Sequence, residues 1–213
     1  MTALNALLEE NESQQGGRIM GVAIAIVTQN QDPEGLARVK LRFPWHNDEN
    51  ESDWARISVV MAGSERGQVF LPEVGDEVLV AFERGDMHFP YVLGALWNGQ
   101  AKPPEANSDG NNDIRMLKTR KGHILKFDDN DSKGQIELAL NDGKKIHIDD
   151  DGIKIDDGGG NSITIDSKGG SISVEAASKL SLKAPSIAIE SSGTMNIKSG
   201  GTLTIKGSLV QIN

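Results

Sequence analysis

The sequence predicts an all-β protein in two unlike parts, a compact five-stranded barrel and then a slender prism of stacked short strands. Three observations predict it. An apolar–spacer–apolar unit recurs from Ile146 to the C-terminus at steps of seven to ten residues. The pairs are Ile146/Ile148, Ile153/Ile155, Ile163/Ile165, Ile172/Val174, Leu180/Leu182, Ile187/Ile189, Met195/Ile197, Leu203/Ile205 and Val210/Ile212. Residues i and i+2 point to the same side of a strand, so each pair marks one short strand with a single apolar face. The aromatic residues are also segregated: Phe43, Trp45, Trp54, Phe70, Phe82, Phe89, Tyr91 and Trp97 precede residue 98, and only Phe127 follows. Only the first part can therefore fill a globular core with rings. Between the parts, Asn98–Asn112 (NGQAKPPEANSDGNN) has paired prolines and no hydrophobic pattern, the composition of a linker.

Each element follows in order. Residues 1–17 are expected to be a short helical or flexible segment, with Ala3, Leu4, Leu7 and Leu8 as its apolar positions and Gly16-Gly17 as its stop. Strands are expected at Met20–Gln29, Leu36–Phe43, Trp54–Met61, Glu77–Phe82 and Tyr91–Leu96, the first two joined as a hairpin through Asp32-Pro33-Glu34-Gly35. Five short strands in so short a span correspond to a barrel of the oligonucleotide/oligosaccharide-binding (OB) type, assigned to residues 18–97. Residues 98–112 are the linker. From Ile114 the strands return, first irregularly at Ile124/Lys126 and Ile136/Leu138/Leu140 and then in the regular array, so residues 113–213 are assigned to the prism. The pairs from Ile146/Ile148 through Leu203/Ile205 are its expected core. Ser, Thr, Lys, Gly and Asp clusters supply the turns.

Charge and composition exclude several functions. Residues 1–97 carry 7 Lys/Arg against 15 Asp/Glu, and residues 98–213 carry 15 against 16, for a net charge of −9. An acidic barrel has no electrostatic reason to hold nucleic acid. Without cysteine there is no disulfide, thiolate catalysis or Cys-based metal site. Met1–Gln15 has neither the basic start nor the apolar run of a secretion signal, and no stretch is long enough to cross a bilayer, so synthesis in the cytoplasm without a signal peptide is expected. No glycine loop precedes a Lys-Ser/Thr pair, and no Ser/His/Asp set has a nucleophile elbow, so neither an enzyme nor a cofactor is expected. His46, His88, His123 and His147 lack ligand spacing, and His147, between inward Ile146 and Ile148, is expected to point to solvent. The alternative reading, a calcium-binding β-roll adhesin or fibre protein, draws on Asp149–Asp151, Asp156-Asp157 and Gly158–Gly160. Successive units, however, do not repeat the glycine-rich nonapeptide it requires. Arg84-Gly85-Asp86 is read as a turn between strands rather than an adhesion tripeptide.

The stretch Leu71-Pro72-Glu73-Val74-Gly75-Asp76-Glu77-Val78-Leu79-Val80-Ala81-Phe82, followed by Pro90–Gly99 (PYVLGALWNG), resembles the OB domain of VgrG-type spikes and of the baseplate assembly protein V group of contractile phage tails. Gly35–Pro44 (GLARVKLRFP) and Trp54-Ala55-Arg56 fit the same domain in order, and the repeat array is similar to the trimeric β-helix that follows it. The resemblance implies an intertwined homotrimeric β-helix, nine or ten layers giving a rod on the order of 45–50 Å. It implies a structural spike, or needle, of a phage-tail baseplate, tailocin or other contractile injection system, meeting the target membrane transiently as it punctures it. The fused hub usual in VgrG proteins is missing ahead of the barrel, so a separate hub protein is expected. A linker stands where some phage spikes carry a lysozyme domain, and the C-terminus has no His-x-His for an on-axis iron, so neither activity nor metal is carried over. A PAAR-like tip protein is the implied cap, and Val210, Gln211, Ile212 and Asn213 are the expected surface for it.

Overall fold

A computed structural model describes residues 18–46 and 51–212 of the chain. The segment expected to be helical at residues 1–17 lies outside the described residues. The chain divides into two units, Met1–Ala106 and Asn107–Asn213.

The first unit is built from strands β1 (Val22–Gln29), β2 (Lys40–Arg42), β3 (Arg56–Ile57), β4 (Ala62–Gly63), β5 (Arg66–Gly67), β6 (Glu77–Phe82) and β7 (Pro90–Ala95). Five of them form one sheet in the order β2-β1-β6-β7-β3. Val39 and Ala55 exchange both backbone hydrogen bonds, at 3.0 and 2.7 Å, beside the two outer strands of that order. This bridge joins β2 to β3 and closes the curled sheet into a ring, which leaves few open edges. Alternation puts Val78, Val80 and Phe82 of β6 inside with Ala25, Val27, Val39, Leu41, Phe43, Ala55 and Val92, all buried.

Two expected strands are shorter than their sequence pattern. Leu36–Arg38 does not pair because Asp32 holds it. The amides of Glu34 and Leu36 donate to the Asp32 carboxylate at 3.0 and 3.1 Å, and Arg38 donates to it through Nε at 2.7 Å and Nη2 at 2.8 Å. These bonds, with the Arg38 guanidinium foremost, push the Asp32 pKa far below the usual carboxylate range. The third expected strand pairs only at Ala55–Ile57 before the chain leaves the barrel as the small β4–β5 hairpin, which the sequence pattern did not reveal. The start of the expected linker is tied down locally. Asn98 Oδ1 accepts from the amides of Gln100 and Ala101 at 2.9 and 2.8 Å, while its Nδ2 donates to Glu77 at 3.0 Å.

The second unit is an antiparallel meander of seven strands, β8 (Ile114–Lys118), β9 (Ile124–Asp128), β10 (Gln135–Ala139), β11 (Lys145–Asp149), β12 (Gly152–Asp156), β13 (Ser162–Asp166) and β14 (Ser171–Glu175), each paired with its neighbours in sequence. Aspartates make the turns. Asp149 Oδ1 accepts from Asp151 and Gly152 amides at 2.8 and 3.0 Å, Asp156 from Gly158 at 2.8 Å, and Asp157 from Gly159 at 2.7 Å. Three carboxylates of the alternative calcium reading, those of Asp149, Asp156 and Asp157, thus cap their own turns. Among the described residues no group of three or more His, Asp or Glu side chains converges as a metal site would require.

Candidate functional site: an apolar sheet face and an unpaired repeat

Register decides what this sheet presents. Ile136 stands opposite Ile148, Leu138 opposite Ile146, Ile146 opposite Ile155, and Ile148 opposite Ile153. The same two columns continue through Ile163, Ile165, Ile172 and Val174 on β13 and β14, and through Leu125, Phe127 and Leu117 on β9 and β8. One face of the meander is therefore apolar from β9 to β14, and on β8 one column continues as Leu117 while the other ends in Arg115. A slip of one residue in any hairpin would turn that strand's pair to the other side.

In the single chain this face is uncovered. From Ile136 to Val174 the aliphatic residues of the two columns are 37% to 73% exposed. At roughly 70 Å² left on each isoleucine, the face amounts to somewhere near 900 Å² of contiguous apolar surface, well beyond the few hundred of a typical monomer. Covering it would stabilise the assembly by about 2 kcal/mol for each isoleucine.

The opposite face is charged and internally paired. Lys154 reaches Asp156 at 2.8 Å, Lys126 reaches Asp128 at 3.7 Å, and His147 Nε2 lies 2.9 Å from Asp149. His147 also stands 4.0 Å from Glu137 of the adjacent strand. His147 and the Gly152 amide hold the Asp149 carboxyl below its ordinary pKa, and Lys154 does the same for Asp156. Two faces of opposite character on one sheet define which side a partner must cover.

After Glu175 the chain changes regime. The apolar alternation continues through Leu180/Leu182, Ile187/Ile189, Met195/Ile197, Leu203/Ile205 and Val210/Ile212, yet no described residue from Ala176 to Ile212 belongs to a strand. The Ala177 amide still donates to Asn161 Oδ1 at 3.0 Å, and further along the hydrogen bonds are local. Ser191 Oγ donates to the Thr194 carbonyl at 3.2 Å and accepts from the Gly193 amide at 3.3 Å, and Ser199, Gly201 and Thr202 repeat the arrangement eight residues on. These corners recur with the repeat, while the segments between them have backbone donors and acceptors with no ladder in this chain. Chains do not leave such groups unmade when a partner can supply them.

The expected core positions are thus divided. Ile146, Ile148, Ile153, Ile155, Ile163, Ile165, Ile172 and Val174 share the sheet face, whereas Leu180, Leu182, Ile187, Ile189, Met195, Ile197, Leu203 and Ile205 lie exposed on the unpaired repeat. Of the expected tip residues, Val210, Gln211 and Ile212 are exposed and Asn213 lies outside the described residues. The sequence pattern misplaced one pair. Ile124 and Lys126 lie on the charged side, and Leu125 with Phe127 belongs to the apolar columns. Leu125/Phe127 is itself an apolar pair two apart, a signal masked by the adjoining Ile124.

Known proteins carry both halves of this arrangement. Residues 23–97 match the type VI secretion system/phage-baseplate injector OB domain, and residues 114–175 match the phage baseplate V C-terminal trimerisation domain. The type VI secretion system spike protein VgrG3 of Vibrio cholerae is 31% identical over 133 residues, 59% of this chain and 12% of its own length. The actin cross-linking toxin VgrG1 of Vibrio cholerae is 32% identical over 142 residues, 60% of this chain and 13% of its own length. The spike protein VgrG1c of Pseudomonas aeruginosa is 37% identical over 71 residues, 32% of this chain and 10% of its own length. The chain therefore spans only a small part of the length of the curated relatives it matches. Among the described residues no helix is long and apolar enough to cross a membrane. With an injector OB barrel followed by a baseplate trimerisation sheet, the chain belongs to the central spike family of phage baseplates and type VI secretion systems.

Proposed function

We propose that three copies of this chain form the rigid spike of a contractile injection machine, which acts mechanically and without catalysis. The observation that carries this reading is the repeat from Ala176 to Ile212, whose alternating apolar residues are exposed and which has no strand partner among the described residues. Three such segments wound about one axis give every strand a neighbour from another chain and turn every apolar pair inward. The eight-residue period suits this, since each unit provides one short strand and one corner. The meander before it contributes its aliphatic face to the same axis. A shaft closed in this way has no lateral edge, so it is stiff in compression and resists aggregation.

In this reading sheath contraction supplies the force and the shaft transmits it to the target envelope. The barrel seats on a separate hub protein at one end. Val210, Gln211, Ile212 and Asn213 are the residues proposed to meet a PAAR-like tip protein, an apolar surface being one that gains by cover. Multi-angle light scattering of the purified chain tests the central claim. A mass near three times 22.9 kDa that is unchanged by chelator is expected. A stable folded monomer would overturn it.

A further inference from the structure

Two separate apolar patches lie on the barrel, and the closed strand order sets them on opposite sides. One belongs to the arm that leaves after β3. Its β4–β5 hairpin is flanked by Val59, Val60, Met61, Val69, Phe70 and Leu71, all exposed, with Val60 at 91%. The hairpin is held by the Ala62–Gly67 and Gly63–Arg66 pairs and a bond of 3.1 Å from the Gln68 amide to the Met61 carbonyl. An isolated two-stranded hairpin is marginal in water, and an apolar one gains order by being covered. Its own barrel does not cover it, since a groove of about 920 Å³ separates the arm from Leu36, Arg38, Trp54 and Arg56.

The second patch is the outer side of β1 and β6. Val22 and Ile24 alternate with the buried core residues of β1 and pair across to Ala81 and Leu79. Trp45 extends this side by donating from Nε1 to the Ile24 carbonyl at 3.1 Å, while its ring remains half exposed. In the ring β2-β1-β6-β7-β3, closed by the Val39–Ala55 bridge, the β1–β6 edge lies across the barrel from β3. The arm therefore overhangs one side and the β1–β6 patch faces away on the other.

A threefold ring needs this arrangement, because its contacts are heterologous and each copy must present two different, complementary surfaces. We infer that the arm of each copy packs Val60 and Phe70 onto the Val22/Ile24/Trp45 surface of the next copy, locking three barrels into a ring. The occupant is a second copy of this chain because the matched trimerisation domain tethers the three barrels through residues 98–113. That tether keeps the two patches at high effective concentration, so a small contact is enough. The inference rests on the trimer reading above and assigns it a specific interface that the trimerisation domain does not contain.

The chain has no cysteine, so crosslinking can be site-directed without removing any. V60C combined with I24C, and F70C combined with V22C, are treated in the full chain with a short bismaleimide and run on denaturing gels. The expected result is a ladder of covalent dimer and trimer about tenfold stronger than in any single-cysteine variant. Light scattering of the same samples separates the two readings. A trimeric mass with no ladder sinks the arm contact and leaves the trimer intact, whereas a monomeric mass sinks both.

Discussion

Ile163 offers the sharpest test of what the sheet face is for. It sits on β13 between Ile155 of β12 and Val174 of β14, and it is 42% exposed in the single chain. Ile163→Ala removes three carbons, worth about 0.8 kcal/mol each when fully buried. With little more than half of the residue already covered, the lone sheet should lose only about 1.5 kcal/mol. If the face is sealed at a threefold axis, a cavity cost is added and each site loses about 2–5 kcal/mol. One layer then loses that three times over, which makes the assembly's loss several times that of an isolated sheet. Thr164, its neighbour on the charged side, is the control, and Thr164→Ala should move stability by about 0.5 kcal/mol or less. The assay is guanidinium unfolding followed by intrinsic fluorescence and far-UV circular dichroism, at two protein concentrations. The midpoint of Ile163→Ala should fall and become strongly concentration-dependent, while Thr164→Ala tracks the parent. Equal, small shifts for both variants would refute the sealed-face reasoning.

Two further perturbations probe local structure. Gly152 opens β12 at φ 150°, and a Cβ there would run into the Ile165 carbonyl of the neighbouring strand. Gly152→Ala should therefore cost about 1–3 kcal/mol, seen as a lower thermal midpoint of the trimerisation unit, whereas Gly143→Ala, with open space around it, should suffer only from its positive φ. Asp32 has its pKa pushed far below the ordinary value of about 3.9 by Arg38 and by two backbone amides. Because the folded value is the lower one, its contribution is complete above roughly pH 4 and fades as pH falls below that. Asp32→Asn should destabilise the barrel at neutral pH and flatten the acid limb of its stability profile. An unchanged acid limb in a pH series of thermal midpoints would contradict that assignment.

Glu77–Phe82 was legible to the residue because both of its neighbours are long strands and its alternation is unbroken. Leu36–Arg38 read as strand because its side chains alternate, yet the Asp32 carboxylate captures its amides first, a competition that no periodicity records. The arm from Ser58 to Leu71 was invisible for a related reason. Its apolar residues resemble a continuing strand, and only the early end of pairing at Ile57 shows that the chain has left the barrel.

By itself, the order of residues determined that this protein is all β, that rings fill only its first part, and that paired aliphatics face one way along its second. Those properties follow from a strand's two-residue period and from where large side chains are available. The tertiary structure decided where each strand finds its partner. Through Glu175 the strands pair within the chain, because short aspartate-capped turns return each one beside the last. From Ala176 the same alternation continues with no strand partner among the described residues. Side-chain period fixes which face is apolar, but hydrogen bonding across a ladder depends on what lies alongside, which no alternation along one chain records.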